Sequence, residues 1–203
     1  MRQTCWLTEK NILDRKQVAE AQESESKVGV HLFVLCHGFQ GTSADMRLFK
    51  NQIASTFPDS VIMLSNANEE KTEGDIMEMG QRLATEVKQY ILSFCPSICL
   101  ARISFIGHSM GGLIIRAALP SLQEYRSKFF TYLTMGSPHI GYMYNSNKLV
   151  DTGMWALKFW KNSLALTQLQ MSDQAKPEET CLFKLSMLPG LDWFKNVVLC
   201  SSF

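Results

Sequence analysis

Ser109 stands at the centre of GHSMG, within the stretch RISFIGHSMGGLIIR that runs from Arg102 to Arg116. The pattern G-x-S-x-G is the sequence mark of a turn that presents a serine as a nucleophile. Its spacing has a steric origin. A chain that reverses from strand to helix within a few residues forces the serine into a strained, positive-φ conformation. Side chains two positions before and after would collide across the turn, so Gly107 and Gly111 are small. The exposed hydroxyl then lies beside a helix N-terminus, where backbone N–H groups and the helix dipole favour developing negative charge. The five-residue pattern alone also occurs in ordinary turns. Here Ile103, Phe105 and Ile106 predict a strand before it, and Leu113 to Leu119 an apolar helix after it, which is the context the chemistry needs.

Two other loops carry polar or glycine-rich signals. His37-Gly38-Phe39-Gln40-Gly41 follows an early apolar run, and its glycines allow close backbone approach to a reacting group. Gly136-Ser137-Pro138-His139-Ile140-Gly141 follows a later one and falls on the same sheet edge as Ser109. The chain has four histidines. His31 sits mid-strand and reads as buried, His108 must point away from Ser109 at the turn, and His37 reads as support for its loop. His139 is the remaining candidate general base, with a pocket-lining or structural role as the competing reading. Asp151 and Asp173 are the acids that could orient it; local roles compete here too, Asp151 as a helix cap and Asp173 as a cap or a partner of Lys176.

The elements that must position these groups alternate in type. Val28 to Cys36 (VGVHLFVLC) is a continuous β-branched and aromatic run, expected for a strand covered on both faces. Thr42 or Ser43 can cap a following helix with Met46, Phe49, Ile53 and Phe57 at helical spacing, which Pro58 stops. Ser60 to Leu64 reads as a second buried strand and Ser65 to Thr72 as a polar loop. Asp75 to Phe94 is amphipathic, with Ile76, Met79, Leu83, Val87, Tyr90, Ile91 and Phe94 on one face. After the Ser109 helix, which Pro120 bends or ends, Phe129 to Met135 reads as a strand. Leu149 to Leu169 is helical and aromatic, either a lid with an acyl-chain surface or a helix covering the sheet. Cys181 to Met187 is a short helix, and Asn196 to Phe203 a further buried strand, left as a long apolar sheet edge if no strand pairs beyond it. The β-α-β-α alternation with right-handed crossovers predicts an α/β fold, a doubly wound, mostly parallel sheet with helices on both faces. Ligands then bind at the carboxyl ends of the strands.

Composition narrows the functional classes. The 203 residues suit one domain with a substantial core. A formal net charge of +1 and the lack of a basic cluster argue against nucleic acid as a partner. No apolar run approaches the length of an integral membrane span, and MRQTCWLTEKNILDRK lacks the apolar core of a secretory signal. Residues 1–27 are polar and read as an N-terminal extension or linker, leaving 28–203 as the folded domain. Of six cysteines, Cys36 and Cys200 fall in apolar runs and read as small buried hydrophobes. Cys95 and Cys99 lack a second ligand pair, so no metal site is expected. The cysteine usage favours a reducing, cytoplasmic setting.

Taken together, VLCHGFQG, RISFIGHSMGGLIIR, TMGSPHIG, YNSNKLVDTGMW, LQMSD, CLFKLS and PGLDWFKNVVL resemble the eukaryotic lipase-like serine esterases, an α/β-hydrolase family. The resemblance covers about residues 30–203. It implies hydrolysis of a carboxylic ester, with a lipid-like small molecule as substrate, transient contact with a membrane surface, and no cofactor. It implies Ser109 as nucleophile and the N–H groups of Phe39 and Met110 as the oxyanion hole. In the family the triad Asp lies in the loop after the strand that here ends at Phe203, and the His follows one more strand. The sequence therefore predicts a partial domain without the last strand and helix, weak or inert as it stands. The alternative is a non-catalytic hydrolase-fold module that binds a lipid or a protein partner.

Overall fold

The computed structural model describes residues 29–94, 100–142 and 163–201. Their organising element is a five-stranded, wholly parallel sheet in the order β2-β1-β3-β4-β5. The strands are β1 (Val30–Cys36), β2 (Val61–Leu64), β3 (Leu100–His108), β4 (Phe129–Met135) and β5 (Asn196–Cys200). The helices are α1 (Arg47–Thr56), α2 (Ile76–Phe94), α3 (Gly111–Ala118), α4 (Leu164–Leu169) and α5 (Cys181–Met187). From β1 the chain steps outward to β2, then returns past β1 to β3 and continues to β4 and β5. The loops after β1 and β3 therefore diverge, and the crevice between them is where a doubly wound sheet accepts a ligand.

The central strands carry apolar side chains on both faces because both are covered. On β1, Leu32, Val34 and Cys36 join one core with Met79 and Leu83 of α2 and Leu113 and Ile114 of α3. Phe33 and Leu35 point the other way, to a smaller core with Met46 and Ile106, against which Phe49 and Ile53 of α1 pack. Phe105 of β3 is fully buried; burying a side chain of this kind is worth about 1.5–3 kcal/mol. Gly80 lets α2 approach α3 closely, since a Cβ there would lie 2.5 Å from Ala117 Cβ and 2.6 Å from Ala117 C.

The expected fold class holds, but several local expectations do not: β2, read as buried, buries only Met63. The strand Asn196–Cys200 is exposed along its whole length, with Val197 46% and Leu199 57% accessible. It lies at the end of the sheet beside β4. An apolar run reads alike in sequence whether or not a layer covers it. Cys200 is accordingly exposed, unlike the buried Cys36. Phe94, expected on the buried face of α2, is 61% exposed at the last residue of the helix and packs on Tyr90 with the rings tilted by 35° and their centroids 4.6 Å apart. His31 is half-buried at the start of β1, its Nε2 2.8 Å from Ser104 Oγ. The extension 1–27, Asp151 and most of the aromatic segment 149–169 lie outside the described residues; its described end, α4, buries Ala165 and Leu169.

Candidate active site

Ser109 occupies the turn between β3 and α3 at φ 52°, a left-handed conformation that costs a non-glycine residue about 1–2 kcal/mol. The surroundings hold it there. Its N–H donates to Met135 O at 2.8 Å, and its carbonyl accepts from the Ser137 hydroxyl at 2.6 Å and from Gly112 N–H at 3.2 Å. A Cβ on Gly107 would lie 2.5 Å from Gly112 N and 2.8 Å from Gly111 C, the predicted collision across the turn. Gly111 is small for a different reason: its Cβ would run into the carbonyl oxygens of Cys36 and His37 at the end of β1. Gly112 must also be small, because a Cβ there would lie 2.7 Å from Thr134 Cγ2 and clash with Ser137.

The loop after β1 passes directly over the serine. A Cβ on Gly38 would sit 2.8 Å from Ser109 Cβ and 3.3 Å from its Oγ. The Gly38 carbonyl accepts from Gly41 N–H at 3.1 Å and from His37 Nδ1 at 3.0 Å. A carbonyl only accepts, so Nδ1 carries the proton. His37 is 1% exposed, and its Nε2 has no partner among the described residues. Phe39, next in the chain, packs against the main core, and Met110, following Ser109, is buried at the start of α3. Sequence reasoning missed the support beneath this loop. Gln40 is also left-handed, at φ 52°, and its N–H donates to Thr72 Oγ1 at 2.8 Å while its side-chain amide donates to Glu73 Oε1 at 3.0 Å. The polar loop Ser65 to Thr72 is thus partly interior, with Ser65, Asn68 and Thr72 buried. A run of small polar residues gives no periodic signal of such burial.

His139 lies at the end of β4, the strand beside that of Ser109, but its ring is engaged elsewhere. Nδ1 is 3.4 Å from Arg116 Nη1 and Nε2 is 3.0 Å from Thr134 Oγ1. Arginine only donates, so Nδ1 accepts and Nε2–H donates to the threonine. Burial, reinforced by the Arg116 guanidinium, holds its pKa down at about 4. Among the described residues no imidazole nitrogen is hydrogen-bonded to Ser109 Oγ. Asp173 is hydrogen-bonded neither to His139 nor to Lys176: its Oδ2 accepts from Cys181 N–H at 2.8 Å at the start of α5, capping it, and Lys176 pairs with Glu179 at 3.2 Å. Among the described residues no group of His, Cys, Asp and Glu has the arrangement of a metal site, and no helix is long and apolar enough to cross a membrane.

A parallel sheet wrapped by helices, with a left-handed serine between a central strand and its helix, defines the α/β-hydrolase class. The solved metagenomic carboxyl esterase MGS0156 has a similar fold, at a TM-score of 0.50 and 15% identity over 85% of this chain and 50% of that one. Residues 26–203 match the family described as "Putative serine esterase (DUF676)", and the chain belongs to that family. Among curated proteins it is 28% identical to "Putative lipase ROG1" of Saccharomyces cerevisiae over 174 residues, covering 80% of this chain and 24% of that protein. It is 32% identical to "Putative lipase YDL109C" of the same yeast over 123 residues, covering 55% and 18% respectively. The chain thus spans about a quarter or less of the length of the curated relatives it matches.

Proposed function

We propose that this domain is an acyl hydrolase in which Ser109 attacks the carbonyl of a carboxylic ester, lipid-like in its acyl part. The observation that carries the reading is the strained φ of Ser109 beneath a glycine whose Cβ would strike it; strain at a non-glycine residue persists where the surroundings enforce it, and such sites cluster at function. Ser109 Oγ forms the new bond to the acyl carbon as its proton passes to a general base. The N–H groups of Phe39 and Met110 receive the charge that develops on the carbonyl oxygen. The C–O bond to the alcohol then breaks, the alcohol takes the proton, and water releases the acyl group from the serine.

We assign the base to a group other than His139, because both nitrogens of that ring already have partners and its basicity is low. Placement of the base matters more than any other feature: in a well-studied serine protease its loss costs about a million-fold in turnover, leaving roughly 10³–10⁴-fold over water from the oxyanion hole and binding. The same observation supports a second reading, a hydrolase-fold module that binds a lipid or protein partner without turnover. A fluorophosphonate probe separates the two in the full-length protein. Covalent labelling that is lost in Ser109→Ala supports the hydrolase; a well-folded, unlabelled protein with intact ligand binding overturns it.

A further inference from the structure

We propose that Thr72 is a positioning residue for the oxyanion hole, acting through the backbone of Gln40; this rests on Ser109 being the nucleophile. The loop that carries Phe39 must hold an unfavourable conformation, because Gln40 sits at φ 52° without being glycine. Two bonds oppose its relaxation. Gln40 N–H donates to Thr72 Oγ1 at 2.8 Å, and its side chain donates to Glu73 Oε1 at 3.0 Å. The first is the stronger constraint, since Thr72 is 2% exposed whereas the Glu73 side chain is exposed. Thr72 in turn is rigidly mounted. Asn68 donates to Met79 O at 3.0 Å and accepts from Arg82 Nε at 2.8 Å, and Lys71 N–H donates to Asn68 O at 3.1 Å, which fastens the loop before Thr72 to α2. On its other side, the Gly38 carbonyl is gripped by His37 and Gly41. That carbonyl belongs to the same planar peptide as Phe39 N–H, so fixing one fixes the direction of the other. Residues 38–41 are therefore clamped at both ends, and Thr72 is the clamp that the loop's own sequence does not supply.

A hydrogen bond to a peptide next to the donor acts on rate rather than on substrate affinity, since the oxyanion forms only in the transition state. Thr72→Val keeps the shape of the side chain and removes its acceptor. The test is the rate constant for fluorophosphonate labelling of Ser109 in the full-length protein, together with the labelled fraction at completion. We expect Thr72→Val to slow labelling about 10- to 100-fold at an unchanged final fraction, and Thr72→Ser to restore it to within about three-fold of wild type. A fall in final fraction with an unchanged rate constant marks a merely structural Thr72 and overturns the proposal, as does equal labelling by Thr72→Val and wild type. Hydrogen exchange at the Gln40 amide of the wild-type protein is independent of any variant's folding: protection is expected, and exchange at the rate of a free amide overturns the proposal. Failure of the wild type itself to label rejects the Ser109 reading instead.

Discussion

Two glycine-rich turns leave neighbouring strands at one edge of the sheet, in the register that pairs His108 with Met135, and they place backbone strain on different residues. In Gly-His-Ser-Met-Gly the left-handed residue is the serine, while Gly107 lets the turn close on Gly111 and Gly112 and Gly111 lets it pass the carbonyls at the end of β1. In Gly-Ser-Pro-His-Ile-Gly the left-handed residues are the glycines, Gly136 at φ 62° and Gly141 at φ 72°, which adopt that conformation freely. The second turn is relaxed, and its histidine is bound into the fold by Thr134 and Arg116. Ser137, from the same turn, braces the carbonyl of Ser109. One turn holds the strained serine and the other braces its carbonyl, although both read as polar, glycine-flanked loops at a strand end.

The hardest test of this contrast is Ser109→Ala, which should abolish fluorophosphonate labelling in a protein of unchanged thermal midpoint; surviving labelling would move the nucleophile elsewhere. Gly38→Ala comes next. Its methyl would lie 2.8 Å from Ser109 Cβ, and displacing the loop that carries Phe39, the proposed oxyanion donor, should slow labelling about 100-fold or more. His139→Asn should change the labelling rate less than about ten-fold, and a larger loss would restore His139 as a base candidate. Gly136→Ala meets no atom within 4 Å, so it should cost only the conformational term, about 1 kcal/mol of stability by denaturant titration, with labelling within about two-fold. The smallest effect is a slope. His31 and His139 are both held at about 4, by burial first and then by Arg102 and Arg116 respectively. The unfolded chain binds these protons near pH 6.5 and the folded one only near pH 4. The stability contribution of the neutral rings is therefore full above pH 6.5 and declines as pH falls toward 4. Chemical denaturation across this window should show a shallower decline in His139→Asn than in wild type.

The turn at Ser109 was legible because its constraints are local. A strand, a reversal within a few residues and a helix must follow one another in the chain, so Gly107, Ser109 and Gly111 appear as a spaced pattern; β1 and β4 announce themselves as apolar runs and α2 through helical periodicity. The reason for Gly111 lay elsewhere, in the carbonyls of Cys36 and His37 at the end of β1, because the atoms it must avoid belong to a distant segment of the chain. The composition of β5 announced a strand but not its burial, because an apolar strand at the sheet edge has the same composition as one inside it. What sequence established is the fold class, the position of the strained serine and the loop that covers it, all consequences of backbone sterics and hydrophobic pattern along the chain. What required the folded molecule is which polar groups meet. His139 is taken by Thr134 and Arg116 rather than Ser109, and Thr72 reaches Gln40 across 32 residues. Hydrogen bonds between distant segments follow from crossover geometry and packing, and residue spacing does not encode them.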